Sequence, residues 1–107
     1  MEKQRCVKMD EIMKNMLILA LRDVFREEKA KGLSTDVTRD FALRLADYED
    51  PKLFLTDTEH KKAIEALNML RNSFIAAGRY TDGIDTIFLK ILQAKYKRCK
   101  VNSKNNQ

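Results

Sequence analysis

The chain is poor in the residues that punctuate or cross-link a fold. Its 107 residues include three glycines, one proline, two cysteines, one histidine and no tryptophan. Gly32, Gly78 and Gly83 stand apart, so none belongs to a glycine-rich phosphate loop between a strand and a helix. That argues against the common nucleotide enzymes. A single histidine, His60, followed by Lys61 and Lys62, cannot supply the converging ligands a zinc site needs, and the two cations would repel a metal. No metal or other cofactor is expected, and His60 reads as a solvated residue in the first turn of a helix. Cys6 and Cys99 are far apart and outside any nucleophile signature, whereas a small secreted domain carries a denser cysteine framework.

Long apolar runs are missing too. The longest is Met16–Leu21, six residues, too short for a signal-peptide core and far too short to span a bilayer. The chain therefore reads as a cytoplasmic protein with reduced thiols and no membrane partner. A polybasic end alone does not hold a protein on lipid without a second signal.

What is abundant is charge, at 35% of residues against a usual share of about 25%. Together with scarce Gly and Pro, this predicts long helices with solvated faces. Four segments show helical periodicity. The first spans about Lys8 to Lys31 and stops at Gly32. Met9, Ile12, Met13, Met16, Leu17, Ala20 and Val24 form one stripe; Val7, Ile18, Leu21 and Phe25 lie nearly opposite. A helix apolar on two faces is buried on both, so this one is either central to the monomer or meets another chain. The second segment opens at Ser34 or Thr35, carries Val37, Phe41, Leu45 and Tyr48, and ends at Pro51. Leu53, Phe54 and Leu55 then plug one end of the core. In the third, Thr56 and Glu59 match a capping box, Ala63, Leu67, Leu70, Phe74 and Ala77 form the stripe, and Gly78 stops it. The fourth starts near Thr81 or Asp82 and runs to about Cys99 with Ile84, Ile87, Phe88, Ile91 and Leu92 on one face. The fold class expected is all-α. It is a compact bundle of four mostly antiparallel helices over residues 1–100, with a frayed, basic and flexible polar tail over 101–107.

Residues 1–94 hold 16 Lys/Arg and 16 Asp/Glu, so the net charge of +5 sits on Lys95, Lys97, Arg98, Lys100 and Lys104. A concentrated basic end is drawn to phosphates or acidic surfaces. Cations also suit a helix C-terminus, which accounts for Lys95 to Arg98 but not for Lys100 and Lys104. A helix-turn-helix around Arg79-Tyr80-Thr81 is disfavoured, because its second helix would present Asp82 and Asp85 to the DNA backbone.

The sequence thus points to a small non-enzymatic accessory protein. Its Lys95, Lys97, Arg98, Lys100 and Lys104 would contact nucleic acid or an acidic protein surface, and Tyr96 would offer a stacking surface. The alternative is an adaptor or inhibitor that binds a protein, or a second copy as a homodimer, through Val7, Ile18, Leu21 and Phe25. An enzyme would have to gather Arg71, Asp82 and Tyr80 by tertiary packing, with no recognisable constellation to support it.

Overall fold

Two glycines and a threonine set the helix boundaries. In the computed structural model, which describes residues 3–98, Gly32 and Gly78 have φ of 71° and 72°, the left-handed region where a side chain is strained. Each closes a helix by a Schellman motif. Gly32 N–H donates to Lys29 O and Leu33 N–H to Glu28 O; Gly78 N–H donates to Ile75 O and Arg79 N–H to Phe74 O. These end α1 (Glu11–Ala30) and α3 (Asp57–Ala76). At the start of α3 the Thr56 hydroxyl accepts from Glu59 N–H while the Glu59 carboxylate accepts from Thr56 N–H. The remaining helices are α2 (Asp36–Ala46) and α4 (Asp82–Leu92).

The protein is mostly helical, with the four helices where the periodicity put them, but it is not all-α. Three short strands, β1 (Lys3–Lys8), β2 (Lys52–Leu55) and β3 (Lys95–Arg98), form an antiparallel sheet in the order β2-β1-β3. This corrects three local expectations. Helix one begins at Glu11, not Lys8, because Asp10 caps it by accepting from Met13 N–H at 2.8 Å. Leu53, Phe54 and Leu55 do reach the core, but as a strand in which Leu53 and Leu55 are fully buried and Phe54 alternates away. Helix four ends at Leu92, and the basic segment after it pairs with β1 instead of continuing the helix.

The core joins Met13, Leu17, Ala20, Leu21 and Val24 of α1 to Phe41, Leu45, Leu67, Leu70, Ile84, Ile87 and Ile91, with Val7, Leu53 and Leu55 from the sheet. Helix α1 packs against both α2 and α3, which explains its two apolar faces: it is central to the monomer. His60 is also interior, contrary to the solvated reading. It is 8% exposed, and its Nε2, carrying the proton, donates to Ile91 O at 2.8 Å. That carbonyl lies in the last turn of α4, where it also accepts from Ala94 N–H at 3.2 Å, so the ring ties α3 to the end of α4.

Candidate functional site

Strand register decides which side chains share a surface. Arg5 lies opposite Leu55 and Tyr96, and Val7 opposite Leu53. Directly paired residues project from the same face, and so do residues two apart on one strand. Val7, Leu53 and Leu55 are buried against the helices, so Arg5 and Tyr96 belong to that inner side. The outer face therefore carries Gln4, Cys6 and Lys8 from β1, Lys52 and Phe54 from β2, and Lys95 from β3. Lys8, Lys52 and Lys95 are exposed; Gln4, Cys6 and Phe54 are half-buried. Lys8 sits directly opposite Lys52, and Cys6 opposite both Phe54 and Lys95.

The charge distribution follows this layout. The strands KQRCVK, KLFL and KYKR carry seven cations and no carboxylate. The four helices carry eleven carboxylates against ten cations. Helix acids are largely paired locally: Arg44 grips Glu59 bidentately at 2.8 and 3.1 Å, and Arg71 meets Asp85 at 2.6 Å. Among the described residues, Lys8, Lys52 and Lys95 make no ion pair. Like charges placed directly across a sheet repel, so the sequence tolerates a local conflict at Lys8 and Lys52.

The two edges of the sheet differ. On β2, the Tyr48 hydroxyl donates to Lys52 O at 2.6 Å and accepts from Phe54 N–H at 3.4 Å, while Arg44 donates to Phe54 O at 2.9 Å. Helix α2 and the residues after it thereby close that edge. The other edge, β3, leads toward the tail.

Tyr96, expected to stack on a ligand, is committed internally. The Arg5 guanidinium lies 4.4 Å from its ring centroid, and its hydroxyl donates to Asp57 Oδ1 at 2.7 Å. Arg5 also donates to Ala94 O at 2.9 Å. The aromatic on the outer face is instead Phe54, which the sequence reading had assigned to the core. Of the basic residues singled out, Lys95 lies on that face, Lys97 pairs with Gln4 and Arg98 with Lys3. Lys100 and Lys104 lie outside the described residues. Lys3, Arg5, Lys8 and Lys52 were missed, because KQRCVK and KLFL show no regular alternation of apolar and polar residues to announce a strand.

The apolar set Val7, Ile18, Leu21 and Phe25 does not make one surface. Val7 is in β1 and not on the helix; it and Leu21 are buried, at 8% and 0% exposure. Ile18 packs half-buried on the core. Of Arg71, Asp82 and Tyr80, two have described surroundings. Arg71 pairs with Asp85, and Tyr80 is 92% exposed. Hydrogen bonds from Thr81 and Arg71 hold the Asp85 carboxyl below its ordinary value, which suits a tie between α3 and α4.

The concave surfaces lie elsewhere. Two adjoining grooves of about 500 and 560 Å³ share Glu28, Ser34, Lys62 and Glu65. Within them Lys62 donates to Glu28 at 2.8 Å and to Glu65 at 3.1 Å. Burial draws the Lys62 pKa down, but these bonds outweigh it and the net shift is upward. Among the described residues no cluster of three or more His, Cys, Asp or Glu is placed to hold a metal, and no helix is long and apolar enough to cross a membrane.

No protein family, curated protein or solved structure matches the chain.

Proposed function

We propose that this is a non-enzymatic binding protein of the cytoplasm that holds nucleic acid by its phosphates, using the cations of the sheet. The observation that carries the reading is the segregation of charge: seven cations without a carboxylate on three paired strands, against near balance on the helices. Lys95, Lys97, Arg98, Lys100 and Lys104 keep the role the sequence suggested, joined now by Lys8 and Lys52. Contacts to phosphate are sequence-blind and release counterions, so affinity falls with salt in proportion to the phosphates neutralised. An acidic protein surface would meet the same cations. A homodimer through helix one would have to do without Leu21 and Val7, which are interior.

The test is fluorescence anisotropy with a labelled oligonucleotide between about 50 and about 200 mM salt. Wild-type protein should bind with an affinity in the micromolar range or weaker at physiological salt, losing at least about tenfold over that interval. Replacing Lys8, Lys52, Lys95 and Lys97 together by Gln should weaken binding at least about tenfold and flatten the salt slope while the circular dichroism spectrum is kept. Binding that ignores salt, or that keeps its wild-type affinity after the quadruple change, overturns the proposal.

A further inference from the structure

We infer that the outer face of the sheet takes an unpaired nucleic-acid strand, with one base stacked on Phe54 and its flanking phosphates on Lys52 and Lys8 to one side and Lys95 to the other. The inference rests on the phosphate-binding reading and goes beyond it by choosing single strand over duplex.

Three features of the face carry it. Phe54, Cys6 and Lys95 form one registered row across the three strands, and Lys52 and Lys8 form the next. Neighbouring strands lie about 4.8 Å apart and successive rows about 6.8 Å, so the ring has cations within the reach of a single nucleotide. Phe54 is the second feature. It points away from Leu53 and Leu55, which are fully buried, and it is not among the half-buried apolar residues packed on the core. The part of the ring left uncovered sits amid lysines, where a flat group can complete its burial. The small Cys6 stands directly opposite it on β1. Third, the opposite side of the sheet is closed by the core and the β2 edge by Tyr48 and Arg44, so the outer face is where Lys8, Lys52 and Lys95 meet solvent.

Stacking separates the two forms of nucleic acid. A nucleic-acid base has a π-face whatever its sequence, and an unpaired strand can offer it. A duplex keeps its base faces inside the stack and offers only phosphates and groove edges. A duplex therefore engages the lysines alone, whereas an unpaired strand engages the lysines and Phe54.

The experiment compares a short labelled single strand with the same strand annealed to its complement, using wild type, Phe54→Ala, Phe54→Leu and Phe54→Tyr. Circular dichroism checks that each variant is folded. Phe54→Ala should weaken single-strand binding about tenfold, leaving duplex affinity and the salt slope unchanged. Phe54→Leu keeps an apolar side chain without the π-face, and it should reproduce that loss if the alanine variant does not fold. Phe54→Tyr should restore binding. Equal affinity of wild type for both forms, or wild-type binding by Phe54→Leu, overturns the stacking inference and leaves the phosphate reading standing. Failure of both forms to bind at low salt overturns both readings.

Discussion

Thr38 is the residue whose surroundings fit it least. It is 1% exposed, and its hydroxyl has no hydrogen-bond partner among the described residues. Burying an unsatisfied hydroxyl costs about 1–3 kcal/mol, while an apolar group of the same shape carries no such penalty. Thr38→Val keeps the branched shape and a similar helix propensity. It should stabilise the protein by about 1 kcal/mol and raise the thermal midpoint by about 4–8 °C. A midpoint in calorimetry that stays put or falls would show that the hydroxyl is satisfied in solution. Glu28 also has a buried oxygen, Oε1, without a partner, but it differs in kind. Its other oxygen is held by Lys62 at 2.8 Å, so neutralising Glu28 would leave that largely buried cation with only the exposed Glu65 as partner. The two orphans look alike as atoms, yet only the threonine can be removed without breaking a buried ion pair.

At the scale of the element, the tie between Tyr48 and β2 does what a further strand would otherwise do. An unpaired strand edge invites another chain. Here a single phenol donates to Lys52 O and accepts from Phe54 N–H, covering the edge. Tyr48→Phe should cost about 1 kcal/mol. In hydrogen exchange the Phe54 amide should lose protection while the amides of α3 keep theirs; unchanged protection at Phe54 would mean that Arg44 and packing hold β2 alone. The same elements show what was legible in the sequence. Gly32, Gly78 and the Thr56–Glu59 box act within a few residues, so their spacing alone announced the helix ends. The strands are only four to six residues long, and β3 reads KYKR, a segment with no apolar alternation to announce it. What makes it a strand is pairing with residues about ninety positions earlier, and local pattern carries no trace of that. His60 misled for the same reason, because its partner, the Ile91 carbonyl, comes from another helix.

For the whole molecule, the missed part of the site was hidden by averaging along the chain. Lys3, Arg5 and Lys8 sit in a stretch whose charges balance overall, with Glu2, Asp10 and Glu11 close by in sequence. Folding sorts those residues, sending Asp10 and Glu11 to the start of α1 and the cations to the sheet. The result is a body of nearly neutral helices bearing a sheet that repels itself, most directly where Lys8 faces Lys52. This gives salt two opposite effects. Screening reaches within about 10 Å at 0.1 M salt, so it weakens repulsion among exposed strand lysines. It leaves the buried core untouched. Folding stability should therefore rise from low to moderate salt, by a few tenths of a kcal/mol up to about 1 kcal/mol, while affinity for nucleic acid falls over the same range. Lys8→Gln should flatten the stability trend by removing one member of the facing pair. A thermal midpoint that falls with added sodium chloride, or a Lys8→Gln protein as salt-dependent as the wild type, would mean that strand repulsion does not govern stability. The two trends share one cause, since cations left without acids to face are strained in the free protein and relieved by salt or by phosphate.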